Sequence, residues 1–133
     1  MTTEQADMPK YAIDFDRARE LRRAPEAMLM TRHCYVHASQ YEKLEDLPST
    51  KEQIAQIVKH CAKQADFIAP EMPLLEIAYR TILAGGNRPL SLQDLYEALT
   101  DRWATPINPR NMSLQTLRRV LSSDTFYGIT EVE

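Results

Sequence analysis

Three consecutive helix signals in the C-terminal half constrain the fold of this chain more than any other feature. Residues 74–84 repeat apolar side chains at helical spacing before Gly85 and Gly86, which favour the left-handed backbone that ends a helix. Ser91 and Ser113 each precede a further segment of this kind, and a serine there accepts a hydrogen bond from the first helical turn. The sequence therefore predicts three short helices in succession.

The segments that join and follow these helices are predicted to be extended or irregular. Arg88-Pro89-Leu90 is expected to be extended, and residues 104–111 contain two prolines, which exclude a regular helix. Residues 126–132 alternate apolar and polar side chains and favour a strand. The predicted buried positions of the three helices are Leu74, Leu75, Ile77, Ala78, Ile82, Leu83, Leu92, Leu95, Tyr96, Leu99, Trp103, Leu114, Leu117, Val120 and Leu121.

The N-terminal half is predicted to be a helical extension, residues 13–68, behind a mobile tail, residues 1–12. The tail mixes small polar and acidic residues and shows no apolar period. Asp14 or Asp16 is expected to cap a short helix that reaches Ala24. Four arginines are expected to give this helix a solvated face or, alternatively, a second patch that contacts phosphate: Arg17, Arg19, Arg22 and Arg23.

Two further helices are predicted in this extension. Residues 27–44 favour one helix, although their central stretch is also apolar enough for a strand. Ser49 followed by Glu52 forms a capping-box pattern, so a helix is expected from Thr50 to about Phe67. Its predicted core-facing residues are Ile54, Ile57, Val58, Cys61, Ala62 and Ala65.

The distribution of charge points to one functional surface. The formal net charge of −3 argues against a protein that coats nucleic acid, yet residues 102–123 hold four arginines and no acidic residue. With the leucines of the third helix turned inward, its opposite face carries Gln115, Arg118, Arg119 and Ser122. Arginine pairs with guanine or phosphate and glutamine with adenine, so this face suits the major groove of DNA.

The stretch from about residue 70 to 132 resembles a known family. The resemblance rests on three motifs: Ala84-Gly85-Gly86-Asn87-Arg88-Pro89-Leu90-Ser91-Leu92-Gln93-Asp94-Leu95, Leu117-Arg118-Arg119-Val120-Leu121 and Asp124-Thr125-Phe126-Tyr127. In these motifs the chain is similar to the HARE-HTH type of winged helix-turn-helix domain. The resemblance implies a DNA-binding or chromatin- and transcription-associated module, often attached to larger machinery, with its reading surface on the third helix.

The predicted fold is therefore mostly α, with the helical extension packed on an abbreviated winged helix at residues 69–133. The wing is expected to be incomplete. A full wing has two strands after the third helix, whereas residues 126–132 allow one, which we expect to pair only with Arg88-Pro89-Leu90. Glu131 and Glu133 at its tip are expected to repel phosphate.

Double-stranded DNA is the partner that these observations predict. Arg102, Arg110 and Asn111 are expected to contact phosphates beside the groove, and the capped amides at Ser113 to seat another. The chain would be a small regulatory or accessory subunit of a cytoplasmic transcription or defence assembly, and a homo-oligomer is compatible with that role. The alternative is a protein-interaction adaptor that docks through its N-terminal helices without contacting nucleic acid. No apolar run is long enough to span a membrane.

Neither an enzyme activity nor a cofactor is predicted. The sequence contains no glycine-rich phosphate loop and no nucleophile-elbow or zinc-protease motif. Five residues have types that suit zinc: His33, Cys34, His37, His60 and Cys61. However, neighbouring residues of a helix point about 100° apart, and Cys61 falls on the apolar stripe. The pattern therefore favours a buried structural cysteine over a metal ligand.

Overall fold

Helices and one small sheet make up the structure, a computed structural model that describes residues 8–32, 47–105 and 112–132. About 53% of it is helical, which confirms the mostly α class with a short β component. In chain order the elements are β1 (Lys10–Ile13), α1 (Phe15–Glu20), α2 (Pro25–Met30), α3 (Thr50–Lys59), a 3₁₀ turn (Cys61–Lys63), α4 (Leu74–Ala84), β2 (Leu90–Ser91), α5 (Leu92–Glu97), a π-helical turn (Ala98–Arg102), α6 (Leu114–Ser122) and β3 (Ile129–Val132).

The N-terminal strand β1 is the centre of the three-stranded antiparallel sheet. Its Tyr11 lies opposite Leu90 of β2 on one side and opposite Glu131 of β3 on the other. Tyr11 and Ile13 are buried. The prediction of a mobile tail up to residue 12 is therefore wrong for residues 10–12. A four-residue strand is too short to produce the apolar period on which that prediction relied.

The partner predicted for the last strand is also wrong. β3 pairs with β1 from Lys10 opposite Val132 to Ile13 opposite Ile129, and β2 lies on the far edge of β1. A strand that precedes the helices in the sequence thus fills the place beside β3. Pairing between distant segments is set by tertiary structure, which local sequence patterns do not record.

The turn after α4 fastens β1 to the helices. Gly86 and Asn87 have φ angles of 80° and 60°, so the predicted left-handed stop begins at Gly86, one residue later than Gly85. The Asn87 side chain accepts a hydrogen bond from the Ile13 N–H at 2.8 Å and donates to the Ile13 carbonyl at 3.0 Å. Asn87 thereby extends, through its side chain, the ladder that β2 forms with β1.

The three C-terminal helices occur as predicted. Ser91 and Ser113 each accept a hydrogen bond at 3.1 Å from the backbone N–H three residues ahead, which confirms both N-caps. The last strand is shorter than predicted and begins at Ile129, because Phe126 and Tyr127 belong to a turn. Fully buried side chains of these helices include Ile77, Ile82, Leu83, Leu95, Leu99, Leu117 and Leu121.

Helix α3 is shorter than predicted and buries a narrower face. It ends at Lys59 rather than near Phe67. Gln53 and Ile57, four residues apart, are fully buried, whereas Val58, about 100° further around the helix, is 37% exposed. The expectation that Val58 and Ala65 face the core is therefore wrong, since both are exposed. The Gln53 amide donates to the carbonyls of Glu26 and Pro48, which ties α3 to α2.

The first two helices are short as well. α1 begins after Asp14, whose carboxylate caps it, and ends at Glu20 rather than near Ala24. The helix predicted over residues 27–44 ends at Met30. Residues 33–46 lie outside the described part of the chain, so the choice between helix and strand there stays a prediction.

One apolar core joins the two halves of the chain. Leu29 of α2 and Ile57 of α3 belong to the same buried cluster as Ile82 of α4, Leu95 of α5 and Leu117 of α6. Each of these side chains is fully buried. The N-terminal helices and the three C-terminal helices therefore support one another, and α6 is held on this shared base.

Candidate nucleic-acid interface

The solvent-facing side of α6 carries the four residues predicted to face a DNA groove. Leu117 and Leu121 are fully buried, while Leu114 and Val120 are partly buried. The opposite side is exposed and consists of Gln115, Arg118, Arg119 and Ser122. Helix α6 thus has the orientation that its leucine spacing predicts.

Arg118 lies next to an acidic side chain of β3. Its Nη2 is 3.6 Å from Oε1 of Glu131, and the two side chains are 56% and 53% exposed. Ion pairs as exposed as this one contribute at most about 1 kcal/mol, because water screens them. The Arg118 guanidinium can therefore leave Glu131 for a phosphate at little cost.

The hydroxyl of Tyr11 lies beside Ser122 and Arg118 but has no hydrogen-bond partner of good geometry. Burial raises the pKa of this hydroxyl.

Arg119 is exposed, and none of the ion pairs in the described part of the chain involves it. Arg102, which is also predicted to contact phosphate, is the last residue of the π-helical turn. The Arg102 guanidinium is 5.9 Å from the Trp103 ring centroid and lines a cleft formed by α4 and α5. No residue of α6 lines that cleft. Arg102 thus shares this cleft with Asp94, Glu97 and Asp101, and its phosphate contact stays a prediction.

The remaining predicted phosphate contacts precede α6. Arg110 and Asn111 lie outside the described residues, so their proposed role stays a prediction. The Ser113 hydroxyl accepts the Thr116 N–H and lies 3.0 Å from the Thr116 hydroxyl. The first turn of α6 is thus capped within the chain, as in an ordinary helix.

A buried carboxylate shapes the turn after α6. Asp124 is 1% exposed and accepts hydrogen bonds of 2.9 to 3.0 Å from the N–H groups of Phe126, Tyr127 and Ile129. Arg17 donates to the carbonyls of Asp124 and Ile129, each at 2.7 Å. Arg17 therefore does not face solvent as predicted. The sequence predicts a strand from Phe126 instead of this turn. An aspartate whose side chain accepts a hydrogen bond from the backbone N–H two residues later, as Asp124 does from Phe126, is nevertheless typical of turns.

Two arginines that follow α1 stay exposed beside this turn. Arg23 stacks on Phe126, with its guanidinium carbon 4.2 Å from the ring centroid, and Phe126 is 41% exposed. Arg22 precedes it with a φ of 63°. Arg19 is exposed too, but its guanidinium pairs with Glu26 at 2.6 Å. The four arginines expected to form one solvated face thus have three different environments.

A buried ionic cluster lies behind the same turn. Glu76 of α4 accepts two hydrogen bonds from Arg32, at 2.7 and 3.0 Å, one from Arg80 at 2.6 Å and one from the Tyr127 hydroxyl at 3.0 Å. Burial alone would raise the pKa of Glu76, but these bonds outweigh it and lower the pKa to about 2. Burial and the neighbouring carboxylate raise the pKa of Tyr127 to about 12. The cluster keeps its charges at neutral pH and fastens α4 to the turn.

A cleft of about 510 Å³ lies between α4 and α5. Its wall carries Asp94, Glu97 and Asp101, whose spacing places three carboxylates along one side of α5 and the π-helical turn. Its apolar lining includes Ile68, Ala84, Leu90, Ala98 and Trp103. Although Arg102 also lines the cleft, the three carboxylates leave its lining net negative, which repels phosphate and suits a basic segment that also carries apolar side chains.

The candidate zinc residues are divided between described and undescribed parts of the chain. His33, Cys34 and His37 lie outside the described residues. Cys61 is 1% exposed, in keeping with its predicted place on the apolar stripe, whereas its neighbour His60 is exposed. The two side chains therefore occupy different environments, and the preference for a structural Cys61 agrees with its burial.

No model of a known protein family matches this chain, and neither a curated protein nor a solved structure matches it. The similarity to HARE-HTH domains thus stands as an expectation from sequence motifs. Among the described residues, no helix combines the length and the apolar character that crossing a bilayer requires.

Proposed function

We propose that this chain binds double-stranded DNA through the exposed side of α6. The observation that carries the proposal is that α6 buries its leucines while Arg118 and Arg119 face solvent without a buried counter-ion. Two cationic side chains on one helix attract the phosphate backbone, and Gln115 on the same side has the donor and acceptor that pair with adenine.

The order of the elements supports the same proposal. α4, β2, α5, α6 and β3 follow one another as in a winged helix, and β1 takes the place of a further sheet strand. In helix-turn-helix proteins the recognition helix lies in the major groove, and α6 is the helix in that position here. With a net charge of −3, the chain suits a small regulatory or accessory subunit of a transcription or defence assembly better than a DNA-coating protein.

A double charge reversal tests this proposal. Arg118→Glu with Arg119→Glu is expected to weaken binding of a fluorescently labelled duplex by roughly 100-fold or more, since it replaces two attractions by repulsions. Because both side chains are exposed, the melting temperature should change little. Lys59→Glu with Lys63→Glu is the matched control, which reverses two exposed charges, one at the end of α3 and one in the 3₁₀ turn that follows it. Equal loss of binding in both variants, measured by fluorescence anisotropy, would contradict a specific role for α6.

The acidic cleft favours a second candidate function, that of a protein-interaction adaptor. Its carboxylates and apolar floor suit a partner segment with basic and apolar side chains, and no nucleic acid is needed. Salt separates the two candidates. Phosphate contacts weaken steeply as salt rises, whereas docking that depends on apolar burial is nearly indifferent to it.

A further inference from the structure

We infer that the turn carrying Arg22 and Arg23, together with Phe126, forms a second phosphate-contacting site beside the C-terminal end of α6. This inference rests on the proposed function and extends the DNA contact beyond α6 to the N-terminal half. Phe126 acts here as a positioning residue, because its ring holds the Arg23 guanidinium.

The structure itself divides the four N-terminal arginines into two pairs. Arg17 donates three hydrogen bonds to the chain around β3, at 2.7 to 3.2 Å, and is therefore needed within the fold. Arg19 is neutralised by Glu26 and Asp16. Arg22 and Arg23 are exposed, and neither takes part in an ion pair within the described residues. Only this second pair offers uncommitted positive charge.

The backbone at Arg22 favours a different residue. The Arg22 N–H donates to the Arg19 carbonyl and the Arg23 N–H to the Ala18 carbonyl, each at 2.9 Å. This pair of hydrogen bonds is common at the C-terminal ends of helices. The residue with left-handed backbone in it is usually glycine, because a Cβ is unfavourable there. Arg22 occupies that position with a φ of 63°. A charged side chain is thus kept where glycine would suit the backbone better.

The stacking of Arg23 on Phe126 leaves the guanidinium able to bind an anion. The guanidinium carbon lies over the ring, and no ion pair within the described residues involves Arg23, so its N–H groups remain available for phosphate oxygens. Phe126 is itself held by an edge contact with Tyr127, at 5.0 Å between centroids, and by the bond from its N–H to Asp124. Arg23 is therefore positioned before any ligand arrives.

The distance from α6 fits a single DNA molecule. Phe126 follows Ser122, the last residue of α6, by four residues, which span at most about 14 Å. Charges recur every roughly 1.7 Å along the axis of duplex DNA, so phosphates lie within that reach of a helix seated in the groove. The Arg22–Arg23 turn therefore lies within reach of a duplex that is seated on α6.

The test uses two double variants. One combines Arg22→Gly and Arg23→Ala, and the control, which removes the same amount of charge, combines Lys59→Ala and Lys63→Ala. The first pair is expected to weaken binding of a labelled duplex about 10-fold at low salt and to reduce the slope of log affinity against log salt by roughly 2. The control should change neither quantity by comparable amounts. Arg22→Gly alone should raise the melting temperature, by about 2 to 4 °C, while it weakens binding.

Phe126 gives an independent readout. Phe126→Ala should weaken binding about as much as Arg23→Ala, and the double variant no more than either alone, whereas Phe126→Tyr should keep wild-type affinity. If Arg118→Glu with Arg119→Glu abolishes binding but Arg22→Gly with Arg23→Ala behaves like the control, the second site is overturned and the α6 proposal stands. If wild-type protein binds no duplex at low salt, the proposed function fails first.

Discussion

At the scale of single residues, Asp124 carries more of the fold than its sequence context suggests. Its buried carboxylate accepts hydrogen bonds from three backbone N–H groups, and the backbone carbonyl of Asp124 accepts a hydrogen bond from Arg17. Without that carboxylate the Ile129 N–H would be buried without an acceptor and those of Phe126 and Tyr127 would be partly buried without one, which is costly because water cannot fully replace the lost bonds. Gly128 belongs to the same turn: a Cβ there would lie 2.8 Å from the Asp14 carbonyl oxygen.

Replacing Asp124 should therefore destabilise the whole protein. Asp124→Ala is expected to lower the free energy of unfolding by roughly 2 to 4 kcal/mol, measured by urea denaturation. Thr125→Ala, at the exposed next position, is the matched control and should change it by less than about 0.5 kcal/mol. An Asp124→Ala variant as stable as the control would show that the turn does not depend on this carboxylate.

At the scale of elements, the Glu76 cluster connects α4 to the N-terminal half. Glu76 receives Arg32, which follows α2, and Arg80 from its own helix, while Arg80 also donates to the Phe67 carbonyl at 2.6 Å. The Arg32 guanidinium lies 5.0 Å from the ring centroid of Tyr79. The side chains of the three charged residues are only 12 to 17% exposed. Removing one partner would leave the others buried without compensation, so the cluster must form as a unit.

The pKa of Glu76 makes this unit sensitive to acid. A carboxyl whose pKa falls from 4.5 unfolded to about 2 folded stabilises the protein fully above pH 4.5 and loses that contribution between pH 4.5 and about 2. The loss is expected to reach roughly 3 kcal/mol. A ¹³C NMR titration of the Glu76 carboxyl in the wild-type protein measures the folded-state pKa directly. A midpoint at or above 4.5 would contradict the paired arrangement.

At the scale of the whole molecule, the sequence predicted what is local and missed what is distant. The caps at Ser91 and Ser113, and the inward side of α6, follow from patterns within a few residues, and the structure has them. The pairing of β1 with β3 and the internal role of Arg17 depend on contacts more than 100 residues apart in sequence. No local period encodes such pairing, since it arises when separate elements pack.

The same distinction applies to the candidate interface. The sequence predicted the exposed residues of α6 correctly, because helical spacing determines which side a leucine stripe buries. It also predicted a phosphate contact for Arg102, which lines the cleft between α4 and α5, and that contact stays a prediction. Charge density along the chain therefore located the basic helix, whereas the surroundings of each charge depend on how the helices pack.

The salt dependence of duplex binding tests the central claim, that α6 presents its arginines to a polyanion, most directly. With Arg118 and Arg119 of α6 and Arg22 and Arg23 of the second site at the interface, the slope of log affinity against log salt should be roughly −3 to −4 between about 50 and 200 mM salt. The slope should become shallower by roughly 2 when Arg118 and Arg119 are replaced by alanine. No measurable duplex binding at about 50 mM salt, or an affinity indifferent to salt, would contradict the account.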